Sequence, residues 1–154
     1  MRITILGNSG SGKSTLAREL ATDGTPTFDL DTIVWEPGQI AVARPHERVD
    51  ADLDAFCTRY PSWIVEGCYG RLAERVLQLR PELIFVNPGE DVCLQHCRSR
   101  PWEPHKYASK AEQDEKLGFL LAWVANYYNR DDDMSLVRHR EIFDAYDGPK
   151  RETR

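Results

Sequence analysis

Residues 7–15 read Gly7-Asn8-Ser9-Gly10-Ser11-Gly12-Lys13-Ser14-Thr15. This run fits G-x-x-x-x-G-K-[ST], a loop whose backbone N–H groups close around a chain of phosphates. Gly7 and Gly12 are expected to supply backbone angles that a Cβ opposes, so that successive N–H groups converge on one anion. A helix starting near Lys13 adds its partial positive N-terminus and its free donors. Lys13 then reaches the β- and γ-phosphates, and the Ser14 hydroxyl takes Mg²⁺. The flanks agree with this reading. Residues 2–6 are a β-branched run, and Leu16, Ala17, Leu20 and Ala21 recur at helical spacing. The whole of 7–15 is therefore expected to bind a nucleoside triphosphate, with ATP and Mg²⁺ as the cofactors.

The rest of the chain alternates short apolar runs with amphipathic ones. Gly24 and Pro26 end the first helix, and residues 26–31 read as a second strand ending in Asp31. Residues 35–44 show no period and read as loop. Pro45 opens a helix with Val49, Leu53, Phe56, Cys57 and Tyr60 on one side, and Pro61 stops it. Residues 62–66 are a third strand, a helix carrying Leu72, Val76 and Leu79 follows, and residues 83–87 are a fourth strand. The pattern predicts an α/β, three-layer fold with a short parallel sheet of about four to five strands and helices on both faces. The C-terminal strand ends, at Gly7, Asp31, Glu66 and Asn87, then gather on the loop side.

Beyond Asn87 a helix over about 90–100 ends at Pro101, and residues 101–108 form a Pro-rich, aromatic excursion. Ser109 with Glu112 resembles a capping box. A long helix with Leu117, Leu120, Leu121, Val124 and Tyr128 inward reaches about Asn129. A last helix over 135–146 turns Leu136, Phe143 and Tyr146 inward. No fifth strand is legible, and Lys150, Arg151 and Arg154 read as a solvated end.

With 154 residues and 41% hydrophobic content, the chain suits a single domain over 1–154. Its net charge of −5 argues against a broad grip on nucleic acid. No apolar run approaches the ~18 residues of a membrane span, and with a strand read from residue 2 no leader is expected. Cys57, Cys68, Cys93 and Cys97 lack C-x-x-C spacing, so reduced thiols and a cytoplasmic location are expected. Cys93, His96 and Cys97 share a helical face, which reads as packing rather than as a metal site.

Phosphoryl transfer asks for positioning and charge neutralisation. Asp31 and Glu66 could each hold a metal-bound water or accept a proton from a hydroxyl. Asp29 reads as a turn-capping residue. Arg98, Arg100 and Arg130 flank the excursion and could close over a triphosphate. Arg44, Arg48 and Arg71 border the expected acceptor side and could bind an anionic group.

The stretch GNSGSGKSTLARELA, the following LD pair and WIVEGCYG together resemble the adenylate-kinase-like small kinases, which include nucleoside monophosphate and shikimate kinases. The likeness is closer to the branch known as DNA topology modulation proteins, where the loop precedes an LD pair, a W-I-[IV]-[DE]-G stretch and a late F-L-x-W helix, which Phe119–Trp123 (FLLAW) resembles with one residue more. The resemblance implies that Glu66-Gly67 stands where adenylate kinases carry Asp-Gly, whose carboxylate orders a magnesium water. It implies that Asp31 acts on the acceptor hydroxyl, as the strand-two acid of shikimate kinases does. Arg130 to Asp133 is similar to the R-x-D-D element behind the adenylate kinase lid, whose arginine contacts phosphates. Residues 98–116 would then be a short lid, and 32–60 the acceptor-side segment. Gly67, Tyr69 and Arg71 fall on the acceptor side with Asp31 and Arg44. The arginine of the family's D-G-F-P-R stretch is displaced to Arg71, and Tyr69 replaces an apolar position. These departures weigh against a monophosphate acceptor, and the absent fifth strand weighs against the usual adenine pocket.

Two functions follow. The first is an ATP-dependent kinase for a small molecule or nucleotide, with a cavity lined from 31–48 and 66–71. The second is a nucleotide-binding switch that hydrolyses slowly, with an exposed apolar surface around Trp35 or Trp102.

Overall fold

The computed structural model describes residues 1–39 and 41–154. In chain order the elements are β1 (Arg2–Gly7), α1 (Lys13–Leu20), β2 (Thr27–Asp29), α2 (Asp31–Val34), α3 (His46–Arg59), β3 (Trp63–Gly67), α4 (Gly70–Leu77), β4 (Glu82–Val86), α5 (Glu90–Arg98), α6 (Lys110–Ala125), α7 (Leu136–Ala145) and β5 (Lys150–Thr153). The five strands form one parallel sheet in the order β2-β3-β1-β4-β5.

Alternation along the strands divides the core between two faces. Ile3, Ile5, Ile64, Ile84 and Val86 pack against Ala17, Leu16 and Leu20 of α1. On the opposite face Leu6 and Leu83 meet Ala73 and Leu77 of α4 and Ile142 of α7. Trp63 and Val65 meet Val49 and Leu53 of α3 on that same side. The central strands β3, β1 and β4 are buried on both faces, which explains their continuous apolar runs.

Four sequence expectations change. The second strand stops at Asp29, and Asp31 opens α2 instead. Leu79 lies past the end of α4 and is exposed. The inward face of α7 is built from His139 and Ile142, with Tyr146 just beyond it, while Leu136 is only half-buried. A fifth strand exists: Lys150–Thr153 pairs with Leu83–Val86 of β4. Its polar residues gave no alternation because β5 is an edge strand fixed by ladder bonds and ion pairs, including Arg151 to Glu82 at 2.9 Å. Arg140 reaches Glu152 in the same way, at 2.8 Å.

The excursion over 101–108 is ordered by its own polar contacts. Gln113 accepts from the Glu103 N–H and donates to the Pro101 carbonyl. Ser109 caps α6 by accepting from the Glu112 N–H, while the Glu112 carboxylate reaches back to the Ala108 N–H. Among the described residues, no helix is long and apolar enough to cross a membrane.

Candidate active site

β1 runs out at Gly7, and the chain turns into α1 through a tight loop. Gly10 and Gly12 take φ of +78° and +96°, which favour glycine. Gly7 does not, contrary to expectation. Its requirement is steric, since a Cβ there would lie 2.5 Å from the Val86 carbonyl oxygen and 2.9 Å from Ser11 Oγ. The loop is buttressed from α5: His96 Nδ1 lies 2.6 Å from the Gly10 carbonyl oxygen. Cys93 and Cys97 are buried there and pack with Val124.

Ser9, Gly10, Ser11, Gly12, Lys13, Ser14 and Thr15 line a cleft of about 860 Å³. Asn8 does not join them. It is buried, and its Nδ2 donates to the Val124 carbonyl at 3.1 Å, tying the loop to the end of α6. Lys13 is folded back, with Nζ donating to the Asn8 carbonyl at 2.7 Å.

Glu66 is brought beside the loop because β3 neighbours β1, with Glu66 level with Ile5. The Ser14 hydroxyl donates to Glu66 Oε1 at 2.5 Å. Burial pushes the Glu66 carboxyl above its ordinary range, against the pull of Lys13. A hydroxyl and a buried carboxylate lacking a full counter-charge, side by side at a phosphate loop, fit a hard divalent cation such as Mg²⁺.

Asp29 is level with Glu66 across the β2–β3 pair, and its Oδ1 accepts the Asp31 N–H at 2.9 Å, closing the turn into α2. Asp31 accepts from the Tyr69 hydroxyl at 2.5 Å on one oxygen and from Lys106 Nζ at 3.0 Å on the other. Burial works to raise the Asp31 pKa, but Lys106 and Tyr69 outweigh it and hold the carboxyl below its usual value. Gly67 and Cys68 also line the cleft, whereas Tyr69 meets it only through Asp31.

The arginines separate. Arg100 donates to Ser9 Oγ at 3.1 Å and lines the cleft. Arg98 is exposed on α5 and does not. Arg130 stacks over the Trp123 ring at 4.1 Å and donates to the Trp123 and Met134 carbonyls, away from the cleft. Arg44 pairs with Asp52 at 2.8 Å and with the Ile33 carbonyl, and Arg71 pairs with Asp50 at 2.7 Å. None of the described residues in 32–48 lines the cleft, because Ile33, Val34 and Trp35 pack into the core with α3. That burial also removes Trp35 as an exposed docking residue.

Sequence reasoning missed Lys106 and Glu103, which the excursion lays over the Asp31 end of the cleft, and Thr153 and Arg154 at the end of β5. A charged residue in an irregular loop carries no period that would aim it. The polar β5 offered no strand signal, and so hid the wall that it adds.

No protein-family model matches the chain, and no curated protein sequence does. Solved structures match it over nearly its full length. A shikimate kinase of Acinetobacter baumannii, solved with shikimate, is 20% identical, with a TM-score of 0.53 over 99% of this chain and 83% of its own. A deoxyadenosine kinase of M. mycoides, solved with dATP, is 12% identical, with a TM-score of 0.55 over 99% and 90%. The chain has the fold of the small P-loop kinases. A sugar kinase of Janibacter is a further match, 18% identical at a TM-score of 0.51 over 98% of this chain and 84% of that one. In this small-kinase fold the motif at 7–15 sits at the end of the central strand, with carboxylates on the β2 and β3 side and Thr153 on the β5 side.

Proposed function

We propose that the protein is an ATP-dependent kinase that transfers the γ-phosphate of ATP to a hydroxyl of a small molecule. The observation that carries this reading is the division of labour in one cleft. Glu66 contacts Ser14 beside the phosphate loop, while Asp31 stands apart from it on the β2 side, held by Tyr69 and Lys106. Lys13 and Arg100 bind the phosphates, with Lys13 leaving the Asn8 carbonyl for the β- and γ-oxygens. Ser14 and Glu66 would hold Mg²⁺, which would supply charge neutralisation at the phosphates.

Asp31 orients the acceptor. The acceptor oxygen bonds to the γ-phosphorus as the bond to the bridging oxygen breaks, and that electron pair leaves with ADP. The hydroxyl proton passes to Asp31 as the new bond completes, and from there to solvent. A carboxylate with a lowered pKa suffices, because the attacking oxygen becomes strongly acidic once it is bonded to phosphorus. Residues 98–116 act as the lid, and the 1–154 unit works as one domain. Four free, buried cysteines suit a reducing cytoplasm.

The test is calorimetry of ATP–Mg²⁺ binding, followed by a screen of phosphorylatable metabolites by thermal shift with a non-hydrolysable ATP analogue. ATP bound with micromolar affinity and a stabilising acceptor support the reading. Failure to bind ATP removes it.

A further inference from the structure

Resting on the kinase reading above, we infer that the acceptor is a hydroxyl-bearing molecule without an anionic group, uncharged or positively charged, such as a nucleoside, a polyol or an amino sugar. Lys13 and Arg18 belong to the phosphate loop and its helix, where Lys13 touches Asn8 and Arg18 donates to Thr15 Oγ1 at 3.3 Å, while Arg100 bridges Ser9 of the loop and Glu103 at 3.7 Å. Arg154 sits with Thr153 at the β5 end, on the other side of the loop from β2. Arg44 and Arg71, the two arginines placed by sequence to receive an anionic acceptor, are paired with Asp52 and Asp50 and do not line the cleft.

The acceptor end is left with Asp29, Asp31 and Glu103 facing Lys106, with His105 at its edge. Lys106 cannot serve as a free anion site. Its Nζ lies 3.0 Å from Asp31 and 3.2 Å from Glu103, so two carboxylates already answer its charge. Burial opposes the charge on Lys106, and Asp31 and Glu103 more than restore it. His105 Nε2 faces the same Glu103 at 3.9 Å. A phosphate or carboxylate placed beside Asp31 would therefore meet Asp29, Asp31 and Glu103, with Lys106 already paired to two of them. Hydroxyl or ammonium groups meet instead a wall of acceptor oxygens, with the Thr27 hydroxyl on the same side.

The test is transfer from γ-labelled ATP with Mg²⁺ to matched pairs: adenosine and AMP, thymidine and TMP, glucose and glucose 6-phosphate, glucosamine and gluconate. ATP binding is measured in parallel. At least one uncharged or amine-bearing member should be phosphorylated with kcat/KM about tenfold or more above its anionic partner. Glu103→Lys should move that ratio about tenfold toward the anionic partner, and an unmoved ratio would overturn the inference. Better transfer to an anionic member by the wild type overturns the acceptor class and leaves the kinase standing. ATP bound with no transfer to any member overturns both.

Discussion

Lys106 Nζ lies 3.0 Å from Asp31 Oδ2, joining the excursion after α5 to the first residue of α2 across 75 residues of chain. Arg100, at the start of the same excursion, reaches Ser9 of the phosphate loop. The segment is thus pinned at both ends of the cleft. Lys106→Met should free it. Amide exchange over 101–108 should speed up in this variant, and ATP should restore protection only near Arg100. Equal exchange in wild type and variant would mean that the ion pair does not hold the segment down.

The phosphate-loop lysine is the simplest test of nucleotide binding. Lys13→Ala should weaken ATP–Mg²⁺ binding by about 10²-fold, the scale of losing a buried charge-assisted contact, with circular dichroism unchanged. An unaltered calorimetric affinity would remove Lys13 from the phosphates.

The two carboxylates should separate by phenotype. Glu66→Gln should depress turnover with every acceptor and raise the Mg²⁺ concentration needed for half-maximal rate. Asp31→Asn should leave ATP affinity nearly intact and cut transfer by about 10²–10⁴-fold, while slow ATP hydrolysis persists because water still reaches the γ-phosphate. Normal transfer by Asp31→Asn would place the acceptor elsewhere.

Arg130 and Arg100 should also part. Arg130→Ala strips donors from the Trp123 and Met134 carbonyls and a cation from the Trp123 ring, and should cost about 2–3 kcal/mol of stability. Its KM for ATP should stay near wild type. Arg100→Ala should do the reverse, raising KM for ATP with little change in Tm. A raised KM in Arg130→Ala with unchanged stability would return that residue to the phosphates.

A pH dependence follows from His139. It is fully buried, its Nε2–H donating to the Cys68 carbonyl at 2.7 Å and its Nδ1 accepting from the Tyr127 hydroxyl at 2.8 Å. Burial pushes its pKa from 6.5 down to about 4. Between those values the unfolded chain binds a proton that the folded chain refuses. Stability therefore falls as pH drops from 6.5 toward 4, by about 3 kcal/mol over the full range. Asp29 and Glu66, whose carboxyls burial raises, act with the opposite sign, so the comparison is with His139→Gln. Urea unfolding at pH 7 and pH 4.5 should show a shallower acid loss in the variant. Identical losses would exclude His139 as a source.

The sequence by itself determined the phosphate loop, the parallel α/β layout and the position of Glu66. The loop needs glycine at Gly10 and Gly12 for reasons local to the backbone, and continuous apolar runs such as Trp63–Val65 announce strands buried on both faces. The β3–β1 pairing then carries Glu66 to Ser14 with little further freedom. Tertiary structure alone decided the rest. Arg44, Arg71 and Arg130 have the same chemistry as Arg100, and only the fold assigns Asp52, Asp50 and the Trp123 carbonyl to the first three. β5 has no apolar alternation, because an edge strand is held by its neighbour's backbone rather than by a buried face. Lys106 reaches Asp31 through an irregular loop whose path is set by side chains of α6, and no periodicity in the chain encodes that path.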